Sequence, residues 1–487
     1  MAPEATIQPA SLEPGQVVDG FRLEERTHRG GMASVWRVTR VGPRPANTPD
    51  VPLVMKVPSF LGGEVPTTIV GFEVEQMIMP TLTGPHVPAF VAKGDFTRLP
   101  YIVMERIEGP TLRERFDAAP LPVDEVAEIG WKVATALHDL HRQHVIHLDV
   151  KPSNVLFRPA DGARGGEAVL IDFGLARHDR LPDLLEEEFE LPMGTAPYMS
   201  PEQVQFVRDD PRSDLFALGV LLYHLTTGAR PFGNPDSVRG LRQRLFREPV
   251  PPRALRADCP AWLQEVILRC LEVDPDQRPQ TAAQLAFDLA HPDQVVLTAR
   301  SERRQRSGAL TTARRWFAAL GSEGRAKGAE QPSVRSPIVL VALDVAVADP
   351  VLLEAIRETV RRLLQTSAGA RLACLAVMKT NLIAMDELVD ADGTSRHVSL
   401  LVKLKHWARE LDGAHPSPAG RITFHVLEAT DPASAIVEYA RRNRVDQIVM
   451  GARSSGSLRR YLGSVSAQVV AQADCTVTVV RAPAVLP

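Results

Sequence analysis

The sequence predicts a protein in two parts, with a mixed α and β region first and an α/β domain with a doubly wound parallel sheet after it. The chain has 487 residues, a length typical of two to four domains at roughly 100–200 residues each. In the last third, short apolar runs alternate with amphipathic helical stretches, as expected for strands that are buried on both faces. Residues 299–336, rich in Arg, Ser, Gly and Ala, separate the two parts.

Composition narrows the class of protein. Hydrophobic residues make up 44% of the chain and the net charge is −3, so nothing in the overall charge favours nucleic acid or an anionic membrane as a partner. The four cysteines are scattered, with neither a C-x-x-C pair nor histidines at metal-ligand spacing. No apolar run reaches the roughly 20 residues of a membrane span, and residues 1–19 lack the pattern of a secretory signal. We therefore expect a cytoplasmic protein with reduced thiols and no membrane span.

Residues 147–154, HLDVKPSN, carry the strongest chemical signal. Phosphoryl transfer requires a carboxylate that orients the attacking hydroxyl, a cation beside the phosphate and ligands for Mg²⁺. Asp149, Lys151 and Asn154 supply one group for each requirement. This stretch therefore predicts a phosphotransferase site.

Three further motifs occur in the order that this chemistry needs. An apolar run, residues 169–171, leads into Asp172 and a following Phe-Gly. Upstream, residues 53–57 read as a strand that presents Lys56, and Glu75 follows in a helical stretch. Four separated motifs in one consistent order make coincidence improbable.

These motifs resemble those of eukaryotic-type protein kinases, whose catalytic loop reads H-R-D-x-K-x-x-N, with Leu148 here in place of the arginine. The resemblance covers about residues 20–291. It implies an α+β bilobal protein kinase fold, with an N-lobe at about 20–105 and a C-lobe at about 106–291. Residues 1–19 are expected to form a mobile tail.

The resemblance also implies a role for each site residue, with ATP and Mg²⁺ as cofactors. Asp149 would orient the acceptor hydroxyl, and Lys151 would neutralise charge on the γ-phosphate. Lys56, held by Glu75, would grip the α- and β-phosphates. The predicted Mg²⁺ ligands are Asn154 and Asp172.

A partial glycine loop and a hinge strand complete the predicted ATP site. Glycines allow backbone N–H groups to approach phosphate, but His28 and Ala33 stand where the family usually has its first and third glycines. Met104 lies at the gatekeeper position of the hinge, whose backbone would bind adenine. The predicted nucleotide-binding residues are His28, Arg29, Gly30, Gly31, Met32, Ala33, Val35, Lys56, Met104, Glu105 and Ile107.

The segment after Asp172 departs from the usual kinase pattern. Residues 175–193 contain no Ser, Thr or Tyr and carry an acidic run at 186–190 instead. Since Leu148 also removes the arginine that a phosphate would engage, we expect that activation-loop phosphorylation does not switch this kinase. A solvated loop and a phosphate-mimicking role both remain open for the acidic run.

Residues 194–202 resemble the substrate-positioning segment of the family. A threonine at the position of Thr195, together with Lys151, implies serine or threonine acceptors. Glu202 is expected to form a buried ion pair with Arg278, and Asp214 is expected to anchor the catalytic loop. We interpret these last three residues as architectural.

Residues 292–336 are predicted to form a basic linker. Four apolar residues within it fall at near-helical spacing and favour a short amphipathic helix. They are Leu310, Ala313, Phe317 and Leu320.

The second domain is predicted at residues 337–483. Its five apolar runs, at residues 338–343, 372–378, 422–427, 447–450 and 476–480, are similar to the strands of the universal stress protein family, a Rossmann-like fold. In nucleotide-binding members a G-x-x-G-x9-G-S/T loop wraps the phosphates, but here the second glycine is missing and the loop is one residue short. A nucleotide site and a structural or dimerising role therefore both remain open. The candidate residues are Asp344, Gly451, Gly463 and Ser464.

Taken together, the sequence predicts an ATP- and Mg²⁺-dependent serine/threonine protein kinase that acts on protein substrates. Its C-terminal domain would regulate it or form a homodimer, in a stress-signalling role. The alternative is a pseudokinase that serves as a nucleotide-sensing scaffold, which His28, Ala33 and Leu148 would suit. A small-molecule phosphotransferase is disfavoured by the segment around Thr195.

Overall fold

The computed structural model describes residues 12–29, 33–43, 49–58, 66–96, 98–159, 166–189, 191–306, 337–345, 349–367, 369–380, 395–411, 421–452 and 463–482. The first part of the chain has two lobes, and the last part is a separate α/β layer structure. The fold class predicted from the sequence is confirmed for both parts.

The N-lobe is built on one antiparallel sheet with the strand order β1-β2-β3-β4-β6-β5. The sheet begins earlier than the predicted boundary at residue 20, because Leu12 is buried in its core and the first strand precedes Asp19. The strands are β1 (Val17–Val18), β2 (Phe21–Arg29), β3 (Ala33–Arg40), β4 (Leu53–Pro58), β5 (Phe90–Lys93) and β6 (Ile102–Glu105).

One helix, α1 (Pro66–Ile78), accompanies this sheet. It is buried almost all round, and its buried residues include the charged Glu73 and Glu75. A helix buried on all sides must be covered by more than one neighbour. Here the sheet side and the C-terminal domain both contribute to the cover.

The C-lobe is mainly helical around α6, in which nearly every residue from Ser213 to Thr226 is buried. Apolar residues at helical spacing on α3, from Val126 to Leu140, pack into the same core, as their periodicity predicts. The helices are α2 (Leu112–Asp117), α3 (Val123–Arg142), α4 (Leu184–Glu188), α5 (Pro201–Val204), α6 (Arg212–Thr227), α7 (Val238–Arg242), α8 (Pro252–Leu255), α9 (Ala261–Cys270) and α10 (Ala282–Ala290). Short strands β7 (Val145–Ile146), β8 (Val155–Phe157), β9 (Ala168–Leu170) and β10 (Arg177–His178) form two hairpin-like pairs beside the cleft.

The start of the predicted linker belongs to the C-lobe surface. Arg300 pairs with Glu272 at 2.8 Å and Glu265 at 3.3 Å, and the Gln264 amide donates to the carbonyl of Arg300 at 2.7 Å. The chain up to Arg306 therefore lies against the lobe rather than bridging the two domains. The predicted amphipathic helix, from Leu310 to Leu320, lies outside the described residues.

The C-terminal domain has a fully parallel five-stranded sheet with the order β13-β12-β11-β14-β15. This order reverses direction between β11 and β14, which defines the switch point of a doubly wound sheet. The strands are β11 (Ile338–Ala342), β12 (Arg371–Lys379), β13 (Ile422–Ala429), β14 (Gln447–Gly451) and β15 (Thr476–Val480). The helices are α11 (Pro350–Thr366), α12 (Arg396–Ala408), α13 (Pro432–Arg442) and α14 (Ser464–Gln472).

The C-terminal domain packs against the N-lobe. Ile69 and Phe72 of α1, together with Phe96, belong to the same buried apolar cluster as Leu401 and Trp407 of α12. The two parts of the chain are thus joined by a shared core. Across the described ranges, no helix has both the length and the apolar character needed to cross a membrane.

Candidate active site

The catalytic loop is held in shape by a buried carboxylate beneath it. Asp214, at the start of α6, accepts from the backbone N–H groups of His147 at 2.9 Å and Leu148 at 2.8 Å. Leu148 has a φ of 60°, a left-handed conformation that costs an L-residue about 1 kcal/mol. Two charge-assisted hydrogen bonds, which this fully buried aspartate accepts, offset such strain. The expected anchoring by Asp214 is therefore observed.

This loop presents Asp149 at the centre of a small polar network. The Lys151 ammonium donates to Asp149 Oδ2 at 2.6 Å, and the Thr195 backbone N–H and hydroxyl donate to Oδ1 at 2.9 and 2.6 Å. The Asn154 amide donates to the Asp149 carbonyl at 3.0 Å. Residues from the catalytic loop and from the predicted substrate-positioning segment thus meet at one carboxylate.

On the N-lobe side of the cleft, one ammonium serves two carboxylates. Lys56 Nζ lies 2.6 Å from Glu75 Oε2 and 2.9 Å from Asp172 Oδ1. The attraction of Lys56 holds the pKa of Asp172 below its usual range. Burial alone would lower the pKa of Lys56, but Asp172 and Glu75 outweigh it and raise that pKa. Lys56 is therefore charged, and α1 and the strand bearing Lys56 are fixed relative to Asp172.

The two predicted Mg²⁺ ligands lie close together in the fold. The Ile171 backbone N–H donates to the Asn154 carbonyl at 3.0 Å, which places Asp172 beside Asn154. Carboxylate and amide oxygens are hard donors of the kind that Mg²⁺ prefers, with phosphate oxygens and water completing its shell. The Asp172 side chain is 42% exposed, so it remains accessible to a ligand in the cleft. The donor set therefore fits Mg²⁺ bound together with a nucleotide.

The structure describes only part of the predicted nucleotide loop. His28 and Arg29 end β2, while Ala33 and Val35 lie on β3. The backbone turn between them, from Gly30 to Met32, lies outside the described residues. The hairpin formed by β2 and β3 nevertheless has the position expected of a phosphate-covering loop, since β3 pairs directly with the strand that bears Lys56.

The hinge residues end β6 at the back of the cleft. The Glu105 side chain is committed to Arg158, whose Nη2 donates to Oε2 at 3.0 Å, and to the Ala89 backbone N–H at 3.1 Å. Any contact of Glu105 with adenine is therefore confined to its main chain. Met104 and Ile107 are half-buried, in keeping with residues that line a cleft.

Sequence reasoning missed three residues that shape the substrate-positioning segment. The Arg244 guanidinium, almost fully buried, donates to the carbonyls of Ala196 at 2.7 Å and of Met199. The Gln203 amide donates to the Leu148 carbonyl at 2.8 Å. Buried Arg208 donates to the Leu175 carbonyl at 3.1 Å. Within the described residues, Arg244 donates only to backbone carbonyls, which leave no pattern in a sequence. Gln203 could have been found from the capping box that it forms with Ser200.

The architectural ion pair of the C-lobe is formed as expected. Both nitrogens of the Arg278 fork donate to Glu202, at 2.6 and 2.8 Å, and the Ser213 hydroxyl donates to Glu202 Oε1 at 2.7 Å. The Arg278 side chain is fully buried. This pair is distant from the chemistry and closes the lobe.

The acidic run of the activation segment is not a solvated loop. Glu186, Glu187 and Glu188 lie in α4, and Glu187 and Glu188 are buried against the C-terminal domain. Of the two alternatives from the sequence, the solvated loop is wrong. The physical reason is that cationic and aromatic groups of a distant domain cover these carboxylates.

In the C-terminal domain, Asp344 follows β11 and Gly451 ends the neighbouring strand β14, at the switch point of the sheet. Gly463 caps α14 and Ser464 begins it, while residues 453–462 of the predicted loop lie outside the described residues. A Cβ at Gly451 would meet Leu352 Cδ2 at 2.9 Å. Helix packing alone therefore gives a reason for glycine at this position.

Two family profiles match this chain. The protein kinase domain profile matches residues 72–289, and the universal stress protein family profile matches residues 337–481.

Among curated relatives, the chain is 33% identical over 219 residues to a probable serine/threonine-protein kinase of Clostridium perfringens, covering 45% of this chain and 31% of that protein. It is 36% identical over 192 residues to the serine/threonine-protein kinase PknB of Mycolicibacterium smegmatis, covering 39% of this chain and 30% of that protein. The chain thus spans about a third of the length of each relative. A solved structure, the PknI kinase domain of Mycobacterium tuberculosis, is 24% identical and covers 58% of this chain and 99% of that one, with a TM-score of 0.44.

Proposed function

We propose that this chain, which matches the protein kinase domain profile and the universal stress protein family profile, transfers the γ-phosphate of ATP to serine or threonine hydroxyls of protein substrates. In this reaction Asp149 orients the acceptor hydroxyl and Lys151 neutralises charge on the transferring phosphoryl group. Lys56, fixed by Glu75, grips the α- and β-phosphates.

A single observation carries this proposal. Residues from four motifs that are far apart in the chain converge on one cleft with bonded geometry. They are Lys56, Glu75, Asp149, Asn154 and Asp172. Lys56 belongs to the N-lobe sheet and Asp149 to the catalytic loop of the C-lobe, so the cleft between the lobes is lined from both sides.

The acceptor class is supported by the contacts of Thr195. Its hydroxyl and its backbone N–H both bind Asp149, and Lys151 Nζ donates to the same hydroxyl at 3.2 Å. This arrangement fixes the segment that would present the substrate beside the catalytic carboxylate. A hydroxyl on a short side chain would reach Asp149 there, which favours serine and threonine over tyrosine.

ATP and Mg²⁺ are the proposed cofactors. Asp172 and Asn154 would hold the metal ion, and the partial exposure of Asp172 leaves it accessible. When bound, Mg²⁺ would neutralise negative charge on the phosphates. The residues of this chain then need only to position the acceptor and the nucleotide.

The scaffold alternative is not favoured. A pseudokinase is expected to lose at least one of the lysine, the loop aspartate or the metal-binding aspartate, and here Lys56, Asp149 and Asp172 are all present in bonded geometry. The departures at His28 and Leu148 do not disturb that geometry. Leu148 is buried, and its backbone is held by Asp214.

We propose a cytoplasmic location on the state of the thiols. All four cysteines, at positions 259, 270, 374 and 475, are free. Burial raises the pKa of the Cys259 thiol to about 11 and of the Cys270 thiol to about 12. Such thiols are inert and persist in a reducing compartment.

The direct test replaces Asp149 by asparagine in the full chain. Asp149→Asn keeps the shape of the side chain but removes the charge that orients the acceptor hydroxyl. Turnover should fall by about 10²–10⁴-fold, while the affinity for ATP, measured by calorimetry, should remain nearly unchanged. Asp124→Asn, an exposed aspartate in the first turn of α3, is the matched control. An Asp149→Asn variant as active as the wild type would refute the assignment.

A further inference from the structure

The activation segment of this chain lies between the kinase and the C-terminal domain. Helix α4 packs against α1 on one side and against β13 and α13 on the other. In most kinases this segment must be ordered by a new charge, usually a phosphate. Residues 175–193 contain no Ser, Thr or Tyr to accept one. Another charged partner would have to order this segment.

The C-terminal domain supplies a complete set of partners to Glu187. Both nitrogens of the Arg371 fork bind the carboxylate, at 2.6 and 2.5 Å, and His425 Nε2 lies 3.2 Å away. The Tyr439 hydroxyl lies within 3.4 Å, and Arg442 donates to the backbone carbonyl of Glu187. Burial would raise the pKa of Glu187, but His425 and Arg371 outweigh it and hold that pKa at about 2. This geometry is that of an anion seated in a cationic pocket, with a glutamate in the place of a phosphate.

A second set of contacts joins the same domain to α1. Lys405 of α12 forms an ion pair with Glu73 and lies 4.0 Å from the ring centroid of Phe96. Ile69 and Phe72 pack in the apolar cluster that they share with α12. The docked domain thus covers one face of the helix that carries Glu75.

Glu73 and Glu75 point in different directions from α1, because successive helical residues are about 100° apart. Glu75 faces Lys56 while Glu73 faces the C-terminal domain. Contacts of the C-terminal domain with the outer face of α1 therefore also stabilise the position of Glu75 beside Lys56 on the inner face.

We propose that the C-terminal domain is an intramolecular activator, which docks on α1 and α4 and holds the kinase in its catalytic arrangement without phosphorylation of the activation segment. The docked state and the assembled cleft occur together, since the contacts of Lys56 with Glu75 and of Thr195 with Asp149 are both intact. The presence of Leu148 in place of the catalytic-loop arginine is consistent with this proposal. The carboxylate of Glu187 in the activation segment is paired with Arg371 of the C-terminal domain instead. This inference rests on the proposed kinase function and adds its regulation.

The experiment reverses the central charge in the full chain. Glu187→Arg places a guanidinium against Arg371 and His425, so docking should be lost. Phosphate transfer from labelled ATP to myelin basic protein should fall by about 5- to 150-fold, the range of a typical coupling between two sites. Amide hydrogen exchange should quicken in residues 66–78 and 184–189.

Three further variants make the result specific. Glu186→Arg changes the neighbouring residue, which is exposed on the same helix, and should leave transfer and exchange close to those of the wild type. Glu187→Arg combined with Arg371→Glu restores an opposite-charge pair. This double variant should recover most of the phosphate transfer and most of the protection from hydrogen exchange. Glu187→Gln removes only the charge and should give an intermediate loss.

The outcomes separate this inference from the proposed function. A wild-type chain that transfers no phosphate contradicts the kinase assignment, and hydrogen exchange then still reports whether Glu187 holds the domains together. An active wild type whose Glu187→Arg variant loses protection but keeps or gains activity overturns the activator role. Failure of the charge-swapped pair to recover, with circular dichroism like that of the wild type, would also count against it.

Discussion

Two clusters of acidic side chains, one in the cleft and one at the domain interface, are built differently. In the cleft, Glu75 and Asp172 share the ammonium of Lys56, and the Asp172 side chain is 42% exposed. At the domain interface, the side chains of Glu187 and Glu188 are 11% and 1% exposed. The first cluster is open to a ligand and the second is closed.

The difference shows how the same residue types serve catalysis in one place and assembly in the other. A carboxylate that is paired yet accessible can bind a metal ion, which can in turn coordinate a phosphate. A charged carboxylate sealed between domains stabilises their contact only where a partner compensates its charge, and it is destabilising where none does. Glu187 is compensated fully by Arg371 and His425, whereas neither oxygen of Glu188 has a hydrogen-bond partner among the described residues.

The largest expected effect lies in the cleft. Glu75→Gln removes the charge that positions Lys56, and a misplacement of a binding group by about 1 Å costs about 100-fold in rate. We therefore expect a loss of turnover of this size, measured by phosphate transfer under saturating ATP. Glu188→Gln makes the same chemical change in the closed cluster and should leave turnover close to that of the wild type. Equal losses in the two variants would break the distinction between the clusters.

A smaller effect is expected for Glu187, the interface carboxylate whose charge is paired with Arg371 and His425. Glu187→Gln leaves Arg371 buried without its anion, and removal of one partner of a buried ion pair costs about 3 kcal/mol. Thermal denaturation followed by calorimetry should show a lower melting temperature than that of the wild type. Glu186→Gln, on the exposed side of the same helix, serves as the control and should melt like the wild type.

The smallest expected effect concerns Glu188, where the direction of the change in stability with pH is the test. Burial raises its pKa to about 7, despite the attraction of His425. The folded protein keeps the Glu188 proton up to that pH, whereas an unfolded glutamate loses it near its ordinary value, about 4.3. Glu188 therefore lowers the free energy of unfolding progressively as the pH rises from about 4.3, and this loss of stability is complete above about pH 7.

Glu188→Gln should consequently raise the melting temperature relative to the wild type at pH 8, and this gain should shrink towards pH 5. The other titratable and charged groups around Glu188, namely Glu73, Glu187, Arg371, His397, Lys405, His425, Tyr439 and Arg442, are shared by both proteins. Burial lowers the pKa of His397 to about 4, below the pH range of the comparison. Burial would also lower the pKa of His425, but Glu187 and Glu188 outweigh it and raise that pKa, so the comparison measures Glu188 and His425 together. A gain that is the same at both pH values would contradict the raised pKa of Glu188.

The sequence predicted the cleft because each of its residues lies in a local motif. The catalytic loop, the Asp172 triplet and the Lys56 strand each carry a recognisable pattern, and the fold then brings them together. The strands of the C-terminal sheet were predicted to within two residues for a similar reason, since buried parallel strands are continuous apolar runs.

The interface could not be predicted in this way. Glu187 meets Arg371 and His425, which lie far along the chain in strands whose pattern reports only burial. An acidic run and an isolated arginine or histidine have no spacing rule that connects them. The burial of Arg244 beneath the substrate-positioning segment escaped prediction for the same reason, because it depends on tertiary packing alone.

The most direct test of the account is phosphoamino-acid analysis of the products formed by the full chain with labelled ATP and Mg²⁺. The geometry of Asp149, Lys151 and Thr195 predicts phosphoserine or phosphothreonine, formed by the wild type and nearly abolished in Asp149→Asn. Bound ATP with no labelled residue, or label on tyrosine alone, would contradict the assignment of this chain as a serine/threonine kinase.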